Sequence, residues 1–155
     1  MDHNEELLIL LNVIIASVLS GMVGFEREKA HKPAGFRTHM IIGGAAALLV
    51  SLGEIMVRSF TNLSYAPNVL QTDPLRIIEA IIVGISFIGA GTILKGREED
   101  KVYYLTSAAT ILFSAGIGIS VALKKYILAI GLTLLIIIIN YLVKSIKIHL
   151  IKEGK

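Results

Sequence analysis

The side chains able to do chemistry gather in a few short clusters. Glu26-Arg27-Glu28 sets a guanidinium between two carboxylates, and Gly35-Phe36-Arg37-Thr38-His39 follows soon after with a second guanidinium, a hydroxyl and an imidazole. Gly89-Ala90-Gly91-Thr92 offers open backbone, and Thr106-Ser107 adds two hydroxyls. A second group, Glu54, Asp73, Arg76 and Glu79, is acidic apart from one arginine. Such carboxylates attract a hard cation, and Mg2+ keeps most of its waters while binding through one or two of them. This is an inventory for ion pairing and recognition. Taken singly, its members have ordinary roles: Arg37 as a basic anchor, Thr38 as an N-cap, His39 as an interfacial residue and the glycines as packing.

Covalent and redox chemistry find no support. The chain has no cysteine, which removes thiolate nucleophiles, disulfides and thiolate metal sites. His3, His31, His39 and His149 show no ligand spacing, and no Ser/His/Asp set is discernible. The glycines from Gly84 to Thr92 precede no Lys-Ser/Thr pair and follow no strand, so neither a phosphate-binding loop nor a dinucleotide fingerprint is present. Asn62-Leu63-Ser64 fits a glycosylation acceptor by letters alone. The expectation is a protein that is not an enzyme, has no cofactor except conceivable Mg2+, and takes no nucleic acid.

The elements that position these clusters are membrane helices. Apolar residues make up 54% of the chain and charged ones 17%, with a mean hydropathy of +0.74, which does not describe a soluble surface. An all-α, five-helix polytopic membrane protein is expected. Its apolar stretches run over about 7–25, 39–57, 75–94, 105–123 and 126–143, lengths that fit a hydrocarbon layer about 30 Å thick. The last two are separated only by Lys124-Lys125 and require a tight hairpin. The first six residues carry no Lys or Arg, so the first stretch is a helix rather than a signal peptide. The chain reads as a single transmembrane domain over 1–155 with no soluble domain after it.

Basic residues set the orientation. Eleven lie on the side holding Arg27, Lys29, Lys32, Arg37, Lys95, Arg97, Lys101 and the C-terminal lysines, against Arg58, Lys124 and Lys125 on the other. The N-terminus is therefore expected outside and the C-terminus in the cytoplasm, which collects Glu26, Arg27, Arg37, Thr38, Gly89, Gly91 and Thr106 on one inner surface. Small residues four apart (Ser17/Gly21, Ser20/Gly24, Gly43/Ala47, Ala80/Gly84, Ser114/Gly118/Ala122) predict helix contacts in the first four helices. The Leu/Ile-rich fifth is expected at the lipid-facing periphery. Asp73-Pro74 is a strong start signal for the third helix. Arg76 in its first turn opposes the helix dipole, and either pairs with Glu79, snorkels, or holds Asp73, Glu54 or a partner. No ionisable residue sits at a helix midpoint, which argues against a proton-coupled pump.

The motifs Gly24-Phe25-Glu26-Arg27-Glu28, Lys32-Pro33-Ala34-Gly35-Phe36-Arg37-Thr38-His39, Asp73-Pro74-Leu75-Arg76-Ile77, Gly84 to Ile93 and Leu105-Thr106-Ser107-Ala108-Ala109-Thr110 resemble, in order and spacing, the MgtC/SapB family of bacterial inner-membrane proteins. The resemblance implies five membrane helices and a non-enzymatic role in magnesium homeostasis or low-magnesium adaptation. It also implies regulation of another membrane protein, the proton-translocating ATP synthase among them. The alternative is a Mg2+ or other cation transporter or channel subunit, and the chain is separately a candidate for homo-oligomerisation. Carried over by motif, the functional residues are Glu26, Arg27, Arg37, Thr38, Asp73, Arg76, Gly89, Gly91 and Thr106, with Glu54, Asp73 and Glu79 as cation-attracting positions. The fourth helix departs from the family pattern, having Leu112, Ala122 and Lys124 where many relatives carry Trp and a Gly-x-Gly pair.

Overall fold

A computed structural model describes residues 3–62, 74–95 and 104–153, with side chains described over 3–59, 74–94 and 104–142. Five helices follow in order: α1 (His3–Lys29), α2 (Phe36–Asn62), α3 (Leu75–Lys95), α4 (Leu105–Ala122) and α5 (Tyr126–Glu153). Four are long and apolar enough to cross a membrane, and α5 adds a shorter apolar stretch over Tyr126–Leu142. Large apolar side chains, mostly leucines and isoleucines, stand exposed on all five helices. A surface of that kind is stable only against hydrocarbon, so the chain is a multi-pass membrane protein.

Several helices run beyond the apolar stretches expected of them, because polar residues continue the backbone ladder into the headgroup layer. α1 continues through Glu26 to Lys29, where Arg27 and Lys29 suit the negative end of its dipole. His31 then takes a left-handed conformation at φ 54°. The Lys32 N–H donates to Arg27 O at 3.0 Å and the His31 N–H to Glu28 O at 2.9 Å, the paired bonds of a Schellman stop. The α4–α5 hairpin repeats this device: Lys124 is left-handed at φ 58°, with Lys125 N–H donating to Ser120 O and Lys124 N–H to Val121 O. Two lysines are thus sufficient for the tight turn. Each turn places a side chain where glycine is usual, at a cost of about 1 kcal/mol.

α4 is the centre of the bundle, with 56% of its apolar window buried, and α3 is the outermost helix at 17%. Two expectations are corrected by this. α5 exposes the leucines and isoleucines expected of a lipid-facing helix but is not wholly peripheral, since Ala129, Thr133, Ile136 and Asn140 form a buried face toward α1 and α4. Ala80 and Gly84 do not pack either: both border a groove beside α2, and a Cβ at Gly84 would meet nothing within 4 Å. The contact that holds the centre is the crossing of α2 and α4, where a Cβ on Gly118 would overlap the Gly43 carbonyl oxygen. Ser20 of α1 joins the same layer, its hydroxyl donating to Ser114 O at 3.3 Å.

The core is unusually polar. Asn12, Ser20, Ser107, Thr110, Ser114, Ser120 and Thr133 are buried alongside its Ala, Val and Ile residues. Most of the hydroxyls are satisfied by their own helix, Thr133 donating to Ala129 O, Ser114 to Thr110 O and Thr110 to Ser107 O. Small hydroxyl side chains therefore act as close-packing elements that need no partner helix. Tyr126 is different, since it ties α5 to α1 through a 2.9 Å bond from its hydroxyl to Asn12 Oδ1. Bonds of this type in membrane helices contribute about 0.6 kcal/mol on average.

Candidate functional site

The end of the bundle at the α1–α2 turn collects most of the motif residues. α1 brings Glu26 and Arg27, and the Arg27 Nε–H donates to Glu26 Oε2 at 2.7 Å. Arg27 is almost wholly buried, its side chain 6% exposed, whereas that of Glu26 is 24% exposed. Burying a guanidinium is unfavourable unless a carboxylate and hydrogen bonds accompany it. The pair is therefore a structural unit as well as a candidate functional one.

Glu28 has a role that the motif alone did not disclose. Its Oε2 accepts the Phe36 N–H at 2.8 Å, so a carboxylate from the end of one helix caps the start of the next. α2 consequently begins at Phe36, and Thr38 lies inside its first turn rather than serving as the N-cap. The shift carries His39 inward. Expected at the interface, it is fully buried, its Nδ1 2.9 Å from Gly35 O and its Nε2 without a hydrogen-bond partner. Space for it comes from α1, where a Cβ on Gly24 would lie 2.7 Å from Gly35 O and 2.8 Å from His39 Cβ. Phe25 and Phe36 meet edge to face at 6.2 Å between centroids, and Lys29 Nζ stands 4.4 Å from the Phe25 centroid. The turn is pinned from several sides.

Beside it opens a cavity of about 440 Å3 lined by Pro33, Ala34 and Thr38 from the turn and α2, Ile88, Gly91 and Thr92 from α3, and Tyr104 before α4. Two separate motifs, 32–39 and 84–93, thus meet at one recess, and Tyr104 joins them. Tyr104 is left-handed at φ 69°, a strained conformation for an aromatic residue, and its carbonyl accepts the Ala108 N–H at 3.0 Å. No residue pattern foretold this. Gly89 is buried against Ala108, with Thr92 donating to Ile88 O at 3.0 Å one turn further on. Thr106 is exposed and does not line the recess.

Arg37 stands apart from the Glu26–Arg27 pair, exposed and without an ion pair among the described residues. At the opposite end of the bundle Glu54 pairs with Arg58 one turn away. The companion pairing of Arg76 with Glu79 is absent among the described residues, and both side chains are exposed. Asp73 lies outside the described residues. No group of three His, Asp or Glu side chains converges in a metal-ligating arrangement among the described residues.

The MgtC family profile matches residues 13–148, which takes in all five helices. A protein of Haemophilus influenzae named only as uncharacterised is 35% identical over 116 residues, covering 75% of this chain and 47% of its own length. The "putative magnesium transporter YhiD" of Escherichia coli K12 is 33% identical over 121 residues, with 78% and 54% covered. "Protein MgtC" of Salmonella typhimurium is 32% identical over 136 residues, with 88% and 52% covered. The chain spans about half the length of these relatives. No solved structure matches it. On a match of this extent, reaching from within α1 into α5, the chain belongs to the MgtC family.

Proposed function

We propose that this chain is a non-enzymatic protein of the bacterial inner membrane that serves magnesium homeostasis by binding and regulating another membrane protein. The α1–α2 turn, placed in the cytoplasm by the surplus of basic residues at its end of the bundle, is the contact surface. The observation that carries this reading is Arg37: an exposed guanidinium with no ion pair among the described residues, on a turn held by the Glu28 cap, the Schellman stop and the His39–Gly35 contact. An exposed arginine presented on a firmly held turn suits the carboxylate of a partner and loses little entropy on binding. The proton-translocating ATP synthase, implied by the resemblance, is the first partner to test. Co-purification after mild solubilisation is expected to recover a defined partner, and Arg37→Ala to lower that recovery about tenfold. Undiminished recovery with Arg37→Ala removes the turn as the contact.

A transporter reading draws support from the printed name of the Escherichia coli relative. Here Glu79, exposed at the opposite end, attracts Mg2+ together with Asp73, while Glu54 is partly neutralised by Arg58. Purified chain in liposomes is expected to show no Mg2+ flux above that of empty vesicles. A flux that scales with protein density would replace regulation by transport.

A further inference from the structure

We propose that the slot between α2 and α3 binds an acyl chain of an anionic glycerophospholipid, with Arg76 on the headgroup phosphate. α3 is held at two places. Near its start Ile77 presses against Gly53 of α2, and near its end Gly89 meets Ala108 of α4. Alongside these contacts α3 stands off from α2 and leaves a cavity of about 900 Å3, bordered by residues such as Leu49, Met56, Gly84 and Ile88 and reaching past Ile77 to Arg76. That volume lies in the range of ligand sites, about 300–1,000 Å3. Every residue lining it is apolar except Arg76.

Length and charge decide the occupant. The slot extends from Arg76 to Ile88 along α3 and from Ile41 to Val57 along α2, roughly 18 Å and 24 Å at the helical rise, a long narrow trough against a hydrocarbon layer about 30 Å thick. The guanidinium stands at one extremity only, at the start of α3, where the helix end faces the headgroups. Of the two arginines described at this end, Arg58 is paired with Glu54, while Arg76 has no carboxylate within ion-pair distance among the described residues. A long apolar slot ending at one guanidinium that has no ion pair among the described residues is complementary to a chain with an anionic head. Arginine also prefers phosphate in a bidentate geometry. A second copy of this chain is the competing occupant, and the measurements below separate the two.

The chain has no tryptophan, so a single reporter can be introduced. Leu49→Trp places it in the slot, and Leu10→Trp on exposed α1 serves as the control. In nanodiscs, acyl-brominated phosphatidylglycerol is expected to quench the Leu49→Trp protein at about fivefold lower mole fraction than brominated phosphatidylcholine, while the Leu10→Trp protein shows no preference. Adding Arg76→Gln should bring the ratio to about one, and Arg58→Gln should leave it unchanged. If Arg76→Gln fails to fold, raising salt to about 1 M on the parent reporter protein should erode the preference in its place. Equal quenching by both lipids overturns the proposal, as does a preference that survives Arg76→Gln or high salt. Absence of quenching by either lipid, with the protein dimeric by native mass, also overturns it and assigns the slot to a second copy.

Discussion

Gly118→Ala is expected to destabilise the bundle by about 2 kcal/mol, while Gly116→Ala, the same change two residues earlier on the same helix, leaves it as stable or slightly more so. Helix propensity alone favours both substitutions by about 1 kcal/mol. Space separates them. A Cβ at Gly116 meets nothing within 4 Å, whereas one at Gly118 would overlap the Gly43 carbonyl oxygen and lie 3.0 Å from Ala46 Cβ. The obstacle is backbone, which cannot swing aside as a flexible side chain does, so α2 and α4 must separate. With them would go the Ser20–Ser114 bond and the packing around Ile111 and Ile117. Lipid supplies no hydrophobic force to restore a loosened contact, because tails are as apolar as the side chains they replace. Unfolding titrations in mixed detergent should show the difference as a shifted midpoint, and equal midpoints for the two variants would mean that the crossing is not the central contact.

The sequence carried the helices more fully than their arrangement. Apolar stretches of membrane-spanning length can hardly be anything else, so five helices and the Lys124–Lys125 hairpin were legible. The turn chemistry was hidden because His31 and Lys124 adopt left-handed backbone that glycine normally signals. The Glu28 cap was hidden for a different reason: it reaches eight residues along the chain, beyond any local capping pattern. That single bond moves the start of α2 and turns His39 from an expected surface residue into a buried one. Small-residue spacing revealed that Gly43 and Gly118 lie at contacts, but spacing does not name the partner. Ala80 and Gly84 carry the same pattern and face an open slot. Conversely α5 hides its buried face in Thr133 and Asn140, which a count of Gly, Ala and Ser passes over. The motif residues divide likewise. Thr38 and Gly91 share a recess, Glu26 and Arg27 form a pair, Arg37 faces outward, and Arg76 belongs to a different surface altogether.

Glu26→Gln is expected to cost about 2 kcal/mol, more than Arg27→Met, and the double substitution to cost less than Glu26→Gln alone. The order follows from which charge is buried. Removing the carboxylate leaves the Arg27 guanidinium, 6% exposed, without its ion-pair partner, and breaking a fully buried pair in this way costs about 3–5 kcal/mol. Glu26 keeps about a quarter of its side-chain surface exposed, so water and lipid headgroups recover part of the loss. Arg27→Met strands nothing of equal cost, since the remaining carboxylate is the more exposed partner and methionine follows the path of the arginine stem. Replacing both removes the uncompensated charge, and neutral side chains of similar volume pack in its place. A double-mutant cycle on the unfolding midpoint should therefore give a coupling above about 1 kcal/mol. An additive cycle would mean that Arg27 is not held by Glu26. The double variant has a further use: folded but stripped of both charges, it separates the pair's part in holding the turn from any part in recognition. Partner recovery that falls in the double variant while its midpoint stays near that of the parent assigns the Glu26–Arg27 pair to the contact surface alongside Arg37. Unchanged recovery confines the pair to holding the turn that presents Arg37.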